Sequence, residues 1–336
     1  MKHLATFPDF LGIGAMKAGT TWLHKNLRSH PEIWMPPVKE LKYFTELESG
    51  EPTGWRGILL GRGLRHATHR KQLSELLADC FRQPKTLLKP VKRSVVWWKL
   101  KFYLGQRSDH WYCSLFDPGK SKVRGEISPT YATLKVPTRR HLQSLRPDLK
   151  IIYIVRNPIE RAWSAQEMMT AKRQALSFVE RKTGSADRSD YVSTLENWRE
   201  FFPDRQIFIG YLEDIHLYPD EFLNSVFRFL NVRPRGPVTK TRVNSYGGDT
   251  IPTQVARKFA IRDYEMMSHQ VRSLGAYSSF WKFTADQLIA REDLPAQLAY
   301  PFFQGNLWKS WCADHTPPGF SSGCLADRHD SDRLAG

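Results

Sequence analysis

The run Gly14-Ala15-Met16-Lys17-Ala18-Gly19-Thr20-Thr21 gathers a lysine, glycines and two hydroxyls within one short stretch. A turn of this composition offers unpaired backbone N–H groups, a cation and O–H donors, the equipment for holding an oxyanion. The order excludes a Walker A loop, in which lysine directly follows glycine and precedes Ser or Thr; here Lys17 comes ahead of Gly19. Glycine also builds ordinary tight turns, so this run by itself leaves a purely structural bend open. A second group, Arg156-Asn157-Pro158, has Ser164 eight positions after its arginine. An arginine fork with a hydroxyl about two helical turns further on can grip a second phosphate. The same arginine could instead pair with carboxylates.

Both groups need elements to hold them. Phe10-Leu11-Gly12-Ile13-Gly14 is a short apolar run before the first group, and Trp22, Leu23 and Leu27 follow it at helical spacing. Ile151-Ile152-Tyr153-Ile154-Val155 reads as a fully buried strand stopping at Arg156-Asn157-Pro158, and the eighteen residues from Ile159 look helical. Further short strands fall at 123–127 and 207–211, and Phe222, Leu223, Val226, Phe227 and Leu230 share one helical face. Strands alternating with helices predict an α/β fold of three layers, a central mainly parallel sheet flanked by helices. Such sheets bind ligands beyond the carboxyl ends of their strands, where both groups would stand.

KAGTTW followed by RNP, with a serine eight residues after its arginine, resembles the two binding signatures of sulfotransferases that use 3′-phosphoadenosine 5′-phosphosulfate (PAPS). The resemblance continues through KELKYF at 39–44, GEISPTY at 125–131 and IGYLEDIHLYPDEFLNSVFRFL at 209–230. It is nearest to the heparan-type and bacterial carbohydrate branch, although Trp22 after the two threonines is more like the cytosolic branch acting on small hydroxyl compounds. The resemblance implies a P-loop-like fold and transfer of a sulfuryl group from PAPS to a hydroxyl or amine, with PAP as the product. It implies that Lys17 contacts the bridging oxygen and sulfonate, that Ala18, Gly19, Thr20 and Thr21 form the 5′-phosphosulfate turn, and that Trp22 stacks on adenine. Arg156 and Ser164 would grip the 3′-phosphate. Glu40 aligns with the general base of the heparan-type branch; a glutamate merely paired with Lys39 or Lys42 is the plainer reading. His110 is the second candidate base, since its imidazole is neutral near pH 7, or it is only packed beside Trp111. Lys42 and Ile127 depart from residues common in relatives, which bears on acceptor contacts. Glu126, Ser128 and Tyr131 are expected either to line the acceptor cleft or to form a packed turn. Lys240, Arg242 and Asn244 fall where the family adds a third loop over the nucleotide. A sulfuryl group in flight carries less negative charge than a phosphoryl group, so cations and backbone donors suffice and no metal is expected.

Composition narrows the partners. The chain has 336 residues, 41% hydrophobic and 12% aromatic, which excludes a fibre or a largely disordered chain. A net charge of +16 calls for an anionic partner. Residues 52–107 hold 13 Lys or Arg against 2 acids, interleaved with aromatics in VKRSVVWWKLKFYLG. This insertion suits an anionic polymer, a membrane surface in peripheral contact, or simply a solvated basic face. Cysteines 80, 113, 312 and 324 lack metal-type spacing and fit a reducing compartment. No apolar run spans a bilayer and no secretory leader is evident, so a cytoplasmic enzyme, bacterial by its resemblance, is expected. The expected organisation is one sulfotransferase domain over 1–312, carrying the 52–107 insertion, and a disordered tail over 313–336 rich in Gly, Ser, Asp and Pro. The expected acceptor is a glycan, with a small-molecule or lipid alcohol as the alternative. An unusual P-loop kinase and a non-catalytic binder of nucleic acid or acidic membrane are weaker readings, because neither uses Arg156 with Ser164; no nucleic-acid partner is expected.

Overall fold

In a strand covered on both faces every residue is apolar or small, and β1 (Phe10–Gly14) is buried throughout its length. The structure, a computed structural model, describes residues 6–61, 66–82, 89–171, 187–236, 248–275 and 277–325. After β1 come α1 (Thr20–Ser29), β2 (Ile33–Trp34), α2 (Tyr43–Ser49), α3 (Gly54–Leu60), α4 (His66–Arg82), α5 (Pro90–Leu104) and α6 (Asp109–Ser114). The middle of the chain gives β3 (Val123–Ile127), α7 (Val136–Leu145), β4 (Lys150–Val155), α8 (Pro158–Ala171), α9 (Tyr191–Arg199) and β5 (Ile207–Tyr211). The last part runs α10 (Leu212–Leu217), α11 (Pro219–Phe229), β6 (Thr250–Pro252), α12 (Thr253–Leu274), α13 (Ser278–Ala290), β7 (Gln297–Ala299), α14 (Asn306–Asp314) and β8 (Gly323–Cys324).

The main sheet has the order β2-β3-β1-β4-β5-β8. Its first five strands are parallel and only β8 runs antiparallel, against β5. The expected α/β architecture is thus the observed one. Gly12 of β1 is required by packing, because a Cβ there would lie 2.7 Å from Ile127 Cγ1 on β3. Since β3 and β4 flank β1 in parallel, the carboxyl ends of all three strands meet at one edge.

The stretch after 312 differs from expectation as far as Leu325. Ser321 N–H, Ser322 N–H and Ser322 Oγ–H donate to Asp214 Oδ2 at 3.1, 2.7 and 2.6 Å. Tyr211 N–H in turn donates to Ser322 Oγ (2.9 Å), and Leu325 is buried. The small polar residues that suggested a loose tail are the donors that fasten it to a buried carboxylate and let β8 cover the edge of β5. Residues 326–336 lie outside the described residues.

Candidate active site

Ala15 N–H donates to the Ile154 carbonyl (2.6 Å), which ties the bend after β1 to the end of β4. The chain then turns through Lys17 and Gly19, both left-handed with φ of 70° and 83°. A Cβ at Gly19 would fall 2.9 Å from Leu212 Cδ1 and from Ile215 Cδ1, so conformation and contact both favour glycine. Gly19 caps α1 without a side-chain acceptor, and the first turn of α1 holds no acidic residue. The amides of that turn and the positive end of the helix are thereby left for an anion from outside. Ala18 and Thr20 are buried in this bend, while Lys17 and Thr21 are half-buried.

Arg156 follows β4 and is 5% exposed. Its Nε and Nη2 donate to Glu160 Oε2 (3.1 and 3.0 Å), Nη2 donates to Tyr300 Oη (2.6 Å), and Nη1 donates to the Lys17 carbonyl (3.0 Å). Of the five guanidinium N–H groups, one on Nη1 has no hydrogen-bond acceptor among the described residues. The pairing with a carboxylate, one of the two readings the sequence left open, is therefore realised. Burial works against the guanidinium charge, but Tyr300 and Glu160 outweigh it and raise its pKa. Glu160 Oε1 accepts from Phe302 N–H (2.6 Å), and Tyr191 Oη–H donates to the Arg156 carbonyl (2.6 Å). Ser164 stands half-buried one turn beyond Glu160 on the same face of α8. Nearby on α10, Glu213 accepts from Trp281 Nε1–H (2.7 Å), and burial with the Glu160 charge pushes its pKa up to about 8.

Glu40 sits in a left-handed conformation (φ 60°), as does Lys42 (φ 56°). Their segment is pinned from β3: Leu41 N–H donates to Glu126 Oε2 (3.1 Å) and Lys42 N–H to Ser128 Oγ (3.2 Å). Glu126 also accepts from Ser128 (2.7 Å), Tyr112 (2.7 Å) and Tyr131 (2.8 Å) hydroxyls. Glu126, Ser128 and Tyr131 are all buried. They form the packed turn, and Glu126 and Ser128 hold the backbone that follows Glu40. The Glu40 carboxylate lies 3.2 Å from both Lys39 Nζ and Lys42 Nζ. Burial alone would raise its pKa, but the two lysines overcome that and hold it below the usual carboxylate range. Lys39 Nζ also donates to Thr21 Oγ1 (3.0 Å), so one ammonium joins the anion turn to the carboxylate. Burial lowers the Lys39 pKa more than Glu40 restores it. His24, buried on α1, is lowered to about 4 by burial first and then by Lys39 and Arg28, so it is neutral at pH 7.

Two expected residues are not brought to this cluster. Trp22 is buried with its ring edge-to-face against Phe222, 6.0 Å between centroids, which makes it a core residue between α1 and α11. His110 is exposed on α6, and among the described residues no hydrogen bond or ion pair joins it to Lys17, Thr21 or Glu40. Its neighbour Asp109 is the engaged group, accepting from Tyr43 Oη–H (2.9 Å) and pairing with His141 Nε2 (3.1 Å). Lys240, Arg242 and Asn244 lie outside the described residues. Glu160 and Tyr300 are not singled out by the sequence, which offers Lys39 only as an ion-pair partner of Glu40. Lys39 and Glu160 carried a faint local signal, each one or four residues from a named candidate, but Tyr300 is 144 residues from Arg156 and carried none. Among the described residues no group of three or more His, Cys, Asp or Glu could hold a metal ion.

The sequence profile of the sulfotransferase family matches residues 8–234, a stretch that contains both strand-end bends and the Glu40 segment. The chain belongs to the sulfotransferase family. It is 23% identical over 281 residues to carbohydrate sulfotransferase 15 of Mus musculus, covering 69% of this chain and 46% of that protein, so it spans about half the length of that relative. A sulfotransferase of Alicyclobacillus acidocaldarius superposes with a TM-score of 0.55 at 20% identity, covering 82% of this chain and 99% of the other. That likeness is one of fold. In this sulfotransferase the family's two signatures are physically one unit, since the Lys17 carbonyl is held by Arg156.

Proposed function

We propose that this sulfotransferase moves a sulfuryl group from PAPS to a hydroxyl or amine of a carbohydrate acceptor, with Glu40 as the general base. The observation that carries this reading is the line Thr21–Lys39–Glu40, which sets a carboxylate ionised at neutral pH beside an open anion-holding turn. The donor fits that turn: Gly19 leaves no room for a side chain, and the first turn of α1 brings neither a cap nor an acid to compete. Lys17, Gly19, Thr20 and Thr21 would hold its phosphosulfate end. Ser164 and the remaining Nη1 hydrogen of Arg156 would meet its 3′-phosphate. Bound there, the donor supplies the sulfuryl group and a phosphate able to leave.

The chain's own residues do the rest. Lys17 and the α1 amides offset the negative charge that grows on the leaving oxygen. Glu40 takes the proton of the acceptor as its oxygen or nitrogen attacks sulfur. Lys39 and Lys42 keep Glu40 ionised and orient it, at the cost of some basicity, and neutral His24 adds no further positive charge to the segment. The distant carbohydrate sulfotransferase likeness and the chain's positive charge support a glycan acceptor.

The test is transfer of labelled sulfonate from PAPS across glycan, phenol and lipid-alcohol acceptors. Glycan labelling is expected. Labelling confined to phenols would remove the carbohydrate part, and no calorimetric heat with either PAPS or PAP would remove the donor as well.

A further inference from the structure

The helices between Glu40 and β3 take no part in the chemistry above, and their surface is unlike the rest of the molecule. Among the described residues, seven of the twelve exposed large hydrophobic side chains belong to α3, α4 and α5. They fall in stripes. Trp55 and Leu59 are four apart on α3, Leu77 and Phe81 are four apart on α4, and Trp97 and Leu104 are seven apart on α5. Their exposure is large: 83% for Phe81, 75% for Leu59 and 66% for Trp97. Other side chains of α4 and α5, Leu76, Trp98, Phe102 and Tyr103, are buried. Exposed cations, among them Arg56, Arg70, Lys89, Arg93 and Lys101, accompany the stripes.

This platform is anchored. Arg107 pairs with Glu46 of α2 at 3.1 Å, both side chains 5% exposed, and donates to the Phe102 and Gly105 carbonyls (2.7 and 3.1 Å). Trp98 Nε1–H donates to the Leu115 carbonyl (2.7 Å). The helices are thus fastened to the element that begins directly after the Glu40 segment.

We infer that α3, α4 and α5 form a docking surface for an anionic lipid bilayer. A polyanion such as a sulfated glycan or a nucleic acid would use the cations and could stack on Phe81 or Trp97, but it would leave the exposed aliphatic Leu59, Leu60 and Leu77 without apolar cover. A second copy would cover the apolar stripes but set exposed cations such as Arg56, Arg70, Arg93 and Lys101 against their like. A bilayer with acidic headgroups uses both features, the cations at the headgroups and the apolar stripes in the acyl boundary. Among the described residues no helix is long and apolar enough to cross a membrane, and the contact is a peripheral one.

The full chain is sedimented with vesicles of phosphatidylglycerol and phosphatidylcholine, and with phosphatidylcholine alone, at low and high salt. Binding is expected only with the acidic lipid and falls steeply with salt. The double variant Phe81→Ser/Trp97→Ser, at exposed positions and with an unchanged melting temperature, binds at least about tenfold more weakly, since each side chain gives up its apolar burial. No sedimentation with acidic vesicles at low salt overturns the proposal. So does equal binding by the double variant, which would leave charge alone as the cause, and so does a dimer dissociated by the same substitutions without vesicle binding. No donor enters this experiment, so its failure and that of the transferase reading are told apart.

Discussion

The molecule contains the strand-bend-helix unit twice, as β1–α1 and as β4–α8, and the two treat the positive end of the helix in opposite ways. In the first, Gly19 offers no cap and no acid stands in the first turn. In the second, Asn157 Oδ1 accepts from Ile159 N–H (3.0 Å), and Glu160 in the first turn engages Arg156. One unit is left open to an outside anion; the other has supplied its own. The lesson is that a motif's residues do not fix its role. Arg156 reads as a phosphate fork in the sequence, and in the fold it is also a strut from β4 to the Lys17 carbonyl.

The sharpest way to break this contrast is Arg156→Ala. It leaves Glu160 buried without its cation and is expected to cost about 3–5 kcal/mol in urea unfolding; a loss below about 1 kcal/mol would mean the strut carries no weight. On the open unit, Lys17→Ala is expected to lower turnover about 10²–10³-fold, as loss of one charge-stabilising donor does, with little change in melting temperature. A matching fall in stability would make Lys17 structural. Glu40→Gln is expected to reduce turnover about a hundredfold while leaving PAP affinity unchanged. The pH profile sharpens that assignment. Because Lys39 and Lys42 hold Glu40 below the ordinary carboxylate range, the acid limb of the profile should lie on the acid side of that range; a limb near neutrality would point to a base other than this carboxylate.

Two smaller effects belong to the closed unit and to Glu213 on the neighbouring α10. Glu213 keeps its proton to about pH 8 when folded and loses it near the ordinary carboxylate pKa when unfolded. Folding therefore takes up a proton between those limits, and its contribution to stability, complete at acid pH, falls as pH rises. Glu213→Gln should remove a slope of up to about 1.4 kcal/mol per pH unit across that window, measured by chemical denaturation at several pH values. An unchanged slope would show that Glu213 ionises without penalty. Asn157→Ala should cost about 1 kcal/mol through loss of the α8 cap; no cost would leave that helix end satisfied by other means.

Much of this was legible beforehand because it is local. The apolar runs at 10–14 and 151–155 are β1 and β4, and the helical spacing after each is α1 and α8. The Lys17 and Gly19 bend reads as an anion cradle and keeps the open helix end such a cradle needs. Legibility failed where a residue's partner is remote. GEISPTY suggested a cleft lining, but Tyr112 and the backbone of Leu41 converge on Glu126 and bury it. Trp22 suggested a stacking platform, but α11 returns Phe222 against it. The 313–325 stretch looked loose by composition, but Asp214 gathers its serines.

The sequence by itself determined the alternation of strands and helices, the parallel order that follows from it, the two strand-end signatures and the concentration of cations at 52–107. Those properties depend on neighbours a few residues apart, through periodicity, turn chemistry and charge density. Only the tertiary structure decided that Arg156 faces Glu160 and Tyr300, that Lys39 spans Thr21 and Glu40, and that the basic helices turn apolar stripes outward. A buried charge or polar group must find its partner wherever the topology brings one, and that meeting is set by strand order and packing across many tens of residues.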